Sequence, residues 1–304
     1  MSDRAAVLMM AYGTPERLED VAAYYTHIRR GSPPSSEQLA ELLARYRAVG
    51  GPTALNRITR LQASGLAAEL ERRGAGAAVH VGFKHVPPFI GEVVRDMAAA
   101  GVTRAVGLVL APHYSLRGVA EYAAYVEASR PPSMAVEVIP SWHDHPALVD
   151  LLAARLARTR DALDDPLVIF TAHSIPMRAI DQGDPYPDQL LETSRLVAAR
   201  AGVERWRLAW QSAGRTDEPW LGPDVAQAIA EAAAGGERAV VAHAIGFVAD
   251  HLEVLYDLDV EARAAAVELG LAFARVPMPN ADPDFLAALA DVVEPRLAAA
   301  SSGV

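Results

Sequence analysis

Leu167-Val168-Ile169-Phe170-Thr171-Ala172-His173-Ser174-Ile175-Pro176 is a β-type apolar run that stops on a histidine and is closed by a proline. A second run, Ala239-Val240-Val241, leads into Gly246-Phe247-Val248-Ala249-Asp250-His251-Leu252-Glu253, where polar, metal-capable groups stand at the start of the next helix. In an open α/β sheet, ligands bind beyond the carboxyl ends of the strands. A histidine at one strand end and a glutamate just past another are therefore expected to face one cleft from opposite sides. His173 and Glu253 are the pair on which the functional reading rests.

The same punctuation recurs along the chain. Strands are expected at 6–11, 79–83, 105–111, 135–139, 167–171, 207–210, 239–243 and 271–275. Amphipathic stretches at 18–29, 36–48, 55–73, 89–99, 117–128, 146–162, 187–201, 222–233, 251–267 and 283–299 alternate with them. Strand-then-helix alternation implies parallel sheets covered by helices. The expected architecture is α/β, with two Rossmann-like doubly wound lobes, each built on a four-stranded parallel sheet. The first lobe spans 1–148 and carries an insertion. The second spans 149–304 and carries His173 and Glu253, with the last helix free to pack on the first lobe. The tail from Ser301 to Val304 is expected to fray.

Bulk properties narrow the function. The 304 residues are 51% hydrophobic and 22% charged, enough for a substantial core. The net charge of −10 argues against general nucleic-acid affinity. The apolar runs are too short for a membrane span, and Ala5–Met10 reads as a first strand rather than a leader, so a cytoplasmic protein is expected. Cysteine is absent, which excludes disulfides, thiolate zinc sites and a cysteine-held iron–sulfur cluster. Metal chemistry must then use His, Asp, Glu or Tyr, a donor set suited to iron, cobalt, nickel or zinc.

The stretch between the first two strands is far longer than one crossover helix needs. It holds Tyr24-Tyr25-Thr26-His27-Ile28-Arg29-Arg30-Gly31, Arg45-Tyr46 and Gly50-Gly51-Pro52-Thr53. Aromatics beside arginines suit a flat anionic ligand, since rings stack on it and guanidinium forks pair with its carboxylates; an ordinary solvated helix end has the same composition. Tyr12 at the first strand end, Lys84-His85 at the second, His113 at the third, and Trp220 after the sixth are placed to line a cleft or to finish a core. Asp184-Pro185-Tyr186-Pro187 reads as structural helix-start chemistry. Asp250, Glu253, Asp257 and Glu261 are spaced to form one acidic stripe on a helix, either a solvated face or a holder of a hydrated divalent cation.

At this point the chain resembles the ferrochelatases, most closely the monofunctional coproporphyrin III ferrochelatases of Gram-positive-type bacteria. The likeness runs from about residue 5 to about residue 297. Met10-Ala11-Tyr12-Gly13-Thr14-Pro15, Tyr24–Gly31, Arg45-Tyr46 with Gly50-Gly51, Thr171–Pro176, Gly183–Leu190, Trp210-Gln211-Ser212, Pro219–Asp224 and Gly246–Asp257 carry it. It implies insertion of Fe²⁺ into coproporphyrin III in a cleft between the lobes, with His173 and Glu253 as the catalytic and metal pair. It implies Tyr12 as an axial ligand of the metal in the product complex, and Asp257 with Glu261 as an outer metal site. It implies that Tyr12, Ile28, Arg29, Arg30, Arg45, Tyr46, Thr53, Lys84, His85, Tyr122 and Trp220 bind the porphyrin.

The resemblance further implies no prosthetic group, Fe²⁺ as substrate, a monomer, and a coproheme decarboxylase as downstream partner. Ala11-Tyr12-Gly13 is the coproporphyrin-type form, where protoporphyrin-type relatives carry Asn-Leu-Gly or Asn-Met-Gly. Thr53-Ala54 replaces Ser-Pro, and His243-Ala244 replaces an apolar residue and proline. The alternatives are a protoporphyrin IX ferrochelatase, a chelatase for another metal such as cobalt, and a non-enzymatic tetrapyrrole or metal carrier.

Overall fold

The computed structural model describes residues 5–214 and 216–301; the tail expected to fray lies largely outside them. The described chain forms two four-stranded sheets. The first comprises β1 (Ala5–Ala11), β2 (Ala78–Phe83), β3 (Arg104–Val109) and β4 (Ala135–Val138), in the order β2-β1-β3-β4. The second comprises β5 (Leu167–His173), β6 (Trp206–Gln211), β7 (Ala239–His243) and β8 (Ala272–Arg275), in the order β6-β5-β7-β8. All neighbouring strands are parallel. The two sheets thus repeat one permutation, and strand order reverses beside β1 in one and β5 in the other. Those are the switch points where a doubly wound sheet binds its ligand. β1 and β5 are buried along almost their whole length, as expected of strands covered on both faces.

Helices α1 (Val21–Ile28), α2 (Ser36–Ala48) and α3 (Leu55–Arg72) fill the long β1–β2 connection. Ser35 and Gln38 close a capping box at the start of α2, which satisfies two otherwise orphaned amides. α4 (Ile90–Ala99) and α5 (Val119–Ser129) follow, then α6 (Pro146–Arg160), a short α7 (Met177–Asp181) that the sequence pattern did not announce, α8 (Tyr186–Arg200) and α9 (Val225–Ala234). α9 starts three residues later than its apolar pattern, because Asp224 caps it by accepting from the Gln227 amide. The stretch expected as one helix over 251–267 is instead α10 (Leu252–Val254), a π-helical segment (Leu255–Ala262) and α11 (Arg263–Glu268). π-Helical turns are rare and concentrate at functional sites.

The chain divides into two compact units. One takes the chain up to Pro112, Leu116–Trp142 and everything from Pro279; the other takes His113–Ser115 and His143–Met278. Relative to boundaries at 1–148 and 149–304, the difference is the crossing of α12 (Pro283–Ser301) into the first unit, together with a few residues at the junction. The contacts explain that membership. Arg73, at the end of α3, pairs with Asp291 and Glu294 at 2.6 and 3.2 Å. Phe285, fully buried, lies against Trp142 with ring centroids 6.4 Å apart. Gly65 of α3 leaves room for Leu286, whose nearest carbon would stand only 2.3 Å from a β-carbon there. Removing the ring at Phe285 should therefore cost the first unit about 3–5 kcal/mol. For Phe285→Ala an earlier urea midpoint by circular dichroism is expected; an unchanged midpoint would show that α12 is not part of that core.

Candidate active site

His173 is the last residue of β5, and Glu253 sits in α10 just beyond the loop that follows β7. β5 and β7 are hydrogen-bonded neighbours, with Phe170 opposite His243, so their carboxyl ends are adjacent. The His173 Nε2 lies 3.5 Å from the Glu253 Oε1. The His173 Nδ1 bonds the Ser174 carbonyl; a carbonyl only accepts, so Nδ1 carries a proton and Nε2 is the working atom. Burial opposes a charge on His173, but the Glu253 carboxylate outweighs it and raises the imidazole to about 9. Burial works against the Glu253 charge too, and the field of His173 and then of His251 nevertheless holds that carboxyl well below its usual range. Each side chain keeps 35% of its surface open, so solvent screens part of this attraction.

Several neighbours fix the pair. The Gln211 amide donates to the Glu253 carbonyl at 3.0 Å and accepts from Thr171 at 2.9 Å, tying α10 to β5 and β6. His251 donates through Nδ1 to the Ala249 carbonyl, which leaves its Nε2 3.7 Å from the second Glu253 oxygen. His251 stands among the polar groups quoted at this helix start and Gln211 within the Trp210-Gln211-Ser212 motif, but neither is given a role there, because their roles depend on strand pairing and loop path. Tyr186 is buried near Glu253, its phenol pushed up by burial and by that carboxylate. Gly246 passes so close to β5 that a β-carbon would stand 2.6 Å from the Ala172 side chain and 3.0 Å from its Cα. Trp220 lies with its ring centroid 6.5 Å from His173 and donates to Thr216 at 2.8 Å.

The acidic stripe keeps its spacing but not one environment. Asp250 precedes the helix and pairs with Arg275 at 3.2 Å. Asp257 is buried, contrary to a solvated face, and takes a very short hydrogen bond from Ser212. Ser212 itself has a φ of 60°, a conformation few non-glycine residues adopt away from functional or turn positions. Glu261 is exposed. His243 and His113 are both buried. His243 packs 5.8 Å from Phe170 and is held at about 3 by burial and by Arg155.

In the first unit, Tyr12 follows β1 at that sheet's switch point and is 41% exposed. The turn behind it is clamped. Asn56 accepts from the Thr14 amide at 3.0 Å and donates to the Thr14 carbonyl at 2.8 Å. Tyr24 donates to the Gly13 carbonyl, and the His85 amide donates to the Tyr12 carbonyl. Gly13 has a φ of 84° and would collide with Val86 if it carried a side chain. Tyr46 is 1% exposed and bonds the Thr14 hydroxyl at 3.1 Å, so it supports this turn from inside.

Lys84 and His85 flank Tyr12. The His85 ring is 4.4 Å from the Tyr12 ring, and burial, then Lys84, then His27 hold it at about 3. It is neutral and shares a 3.0 Å Nδ1–Nδ1 hydrogen bond with His27. The Lys84 ammonium pairs with Glu121 at 2.7 Å and lies over the Tyr12 and Tyr122 rings at 5.8 and 5.3 Å. Glu121 also takes Arg30 at 3.2 Å. Arg29 is exposed over Tyr25, Ile28 is half-buried, and Arg45 lies 3.6 Å from Glu41. The Thr53 hydroxyl is buried with no hydrogen-bond partner. A cavity of about 560 Å³ opens beside this cluster, lined by His27, His85, Asn56 and Arg60 among others. Asn56 carries no signal in the sequence because a lone Asn within a helix has no positional mark, and His27, quoted within the Tyr24–Gly31 stretch, has no role of its own there.

Solved structures with this two-sheet architecture include SirB from Bacillus subtilis with Fe³⁺, at a TM-score of 0.61 and 13% identity over 99% of this chain and 98% of that one. The sirohydrochlorin chelatase SirB in complex with cobalt matches at a TM-score of 0.58 and 11% identity, over 99% and 96%. The fold is thus shared with these solved structures. Residues 4–297 match the ferrochelatase family model. The coproporphyrin III ferrochelatase of Bacillus pumilus is 42% identical over 97% of each chain, and the ferrochelatase of Thermus thermophilus is 46% identical over 95% of this chain and 98% of its own. The chain belongs to the ferrochelatase family.

Two measurements test the geometry. A divalent ion binding at His173 must displace the proton that Glu253 stabilises there. Affinity for Co²⁺ at this pair should therefore rise with pH and level off near 9. Glu253→Gln leaves burial as the main influence, so the midpoint should move down; calorimetric titration across pH reads both, and an unmoved midpoint contradicts the coupling. Asn56→Ala strands two backbone groups of Thr14 and should cost about 1–3 kcal/mol per unpaired group, seen as a lower thermal midpoint.

Proposed function

We propose that this protein inserts Fe²⁺ into coproporphyrin III, forming Fe-coproporphyrin and releasing two pyrrole protons. The observation that carries the reading is the His173–Glu253 pair at the switch point of the second sheet, in a chain of the ferrochelatase family. Relatives named coproporphyrin III ferrochelatase and the Ala11-Tyr12-Gly13 form favour coproporphyrin III over protoporphyrin IX.

A free-base porphyrin must lose two protons and bend to expose its nitrogen lone pairs. His173, held as an imidazolium by Glu253 at rest, first gives up its Nε2 proton to solvent; the freed Nε2 then accepts the two pyrrole protons one after the other, and the adjacent Glu253 carboxylate stabilises the imidazolium formed each time. Fe²⁺ arriving beside the carboxylate expels that proton. Glu253, with His251 on its other oxygen and Asp257 behind it, passes protons outward, and Asp257 with Glu261 forms the outer metal site. Arg29, Arg30 and Arg45 hold the substrate carboxylates, and this remote binding energy supports ring distortion. Ile28, Thr53, Lys84, His85, Tyr122 and Trp220 line the macrocycle; Tyr12 is the axial ligand in the product complex, and Tyr46 acts through the Thr14 turn. No helix among the described residues is long and apolar enough to cross a membrane. The reading places a monomer in the cytoplasm, without prosthetic group, that passes coproheme to a decarboxylase.

Anaerobic Fe²⁺ insertion followed by absorbance, with coproporphyrin III and protoporphyrin IX side by side, tests the proposal. Turnover with coproporphyrin III is expected to dominate. Binding without turnover would instead define a carrier, and preference for protoporphyrin IX or Co²⁺ would reassign the substrate. His173→Ala should lose about 100-fold or more in rate while porphyrin binding persists. Arg29→Ala should weaken porphyrin binding by about tenfold, the loss of one charge-assisted hydrogen bond, with the insertion rate at saturation largely kept.

A further inference from the structure

We infer that His143, Asp144 and Glu192 form a second divalent-cation site in the His143–Met278 unit, distinct from the His173–Glu253 pair and from the Asp257–Glu261 outer site. His143 and Asp144 lie in the turn that enters α6, and Glu192 projects from α8. One donor atom from each of the three lies within 4.8 Å of the others. The His143 Nε2 and Glu192 Oε2 are 3.0 Å apart. That is the spacing of two donors sharing one ion at bond lengths of about 2.0–2.2 Å. Asp144 is exposed, so its carboxylate can rotate the remaining distance at little cost.

The surroundings favour a cation. His143 is buried, whereas the Glu192 side chain is 56% exposed, so the ion would be held from below by a rigid imidazole and left open to water above. Beneath His143 lies His113, almost fully buried, with ring centroids 5.7 Å apart. The Thr193 hydroxyl donates to the His143 and Gln189 carbonyls, so it accepts from the His113 Nε2 at 2.9 Å. The His113 Nδ1 is buried and has no hydrogen-bond partner among the described residues. One neutral imidazole and two carboxylates balance a divalent charge, and the mixed N/O set suits Fe²⁺, Co²⁺ or Zn²⁺. The buried rings of His113 and Tyr186, 6.1 Å apart, continue from His143 toward the backbone of His173, to which Tyr186 is hydrogen-bonded.

Co²⁺ is the probe, because its visible spectrum and binding heat both report occupancy. The full chain carrying His173→Ala and Glu253→Gln should still bind Co²⁺. Adding Asp144→Asn and Glu192→Gln should remove one equivalent or weaken it at least tenfold. Both added changes are at exposed side chains, so the fold should persist, as circular dichroism verifies. Undiminished Co²⁺ binding after those two changes would overturn the site and leave His143–Glu192 as an ion pair only. Absence of any Co²⁺ binding in the His173→Ala/Glu253→Gln chain would overturn it as well. Fe²⁺ insertion by a chain carrying only Asp144→Asn and Glu192→Gln reads the proposed activity separately.

Discussion

The parallel pairing of β5 with β7 is the constraint on which the second unit depends. It brings the end of one strand, His173, beside the loop that delivers Glu253. The approach is close enough that only glycine fits at position 246, against Ala172. Gln211, reaching from β6 to both Thr171 and the Glu253 backbone, locks the third strand into the same arrangement. The π-helical segment follows directly and places Asp257 against Ser212 rather than in solvent.

The electrostatics of the pair follow from competition between two effects. Burial disfavours both charges, yet their proximity restores both, so His173 is raised to about 9 and Glu253 is lowered. A pair held in this way keeps its proton through the attraction of its two charges, and any cation entering between them would have to displace that proton. Partial exposure matters here, because a fully enclosed pair would have no route for either species. The ordinary histidines of the same unit show the contrast. His113 and His243 are equally buried but lack a facing carboxylate, and both are pushed down to about 3.

The first unit solves a different problem, which is to hold an exposed tyrosine rigidly. Tyr12 stands on a turn whose backbone groups are taken by Asn56, Tyr24 and the His85 amide. Its ring is flanked by a neutral His85 and a buried lysine neutralised by Glu121. Buried polar groups that are all satisfied specify one geometry, and here the specified geometry is that of a turn at the switch point of the first sheet.

Much of this was legible in the amino-acid order. Apolar runs ending on His173, Lys84-His85 and Tyr12 marked strand ends, and a strand end is where an α/β sheet presents its chemistry, so fold class and the principal pair followed from local pattern. What local pattern could not reach were contacts set by distant segments. The burial of Asp257, the inward turn of Tyr46 and the roles of Gln211, His251, His27 and Asn56 each depend on a partner far along the chain. Periodicity encodes which residues are apolar and how they repeat; it carries no information on which turn packs against which. The order of residues therefore determined the strands, the helices and the chemistry at their ends, while only the tertiary structure decided which polar groups were buried together, because burial and hydrogen bonding are properties of neighbours in space.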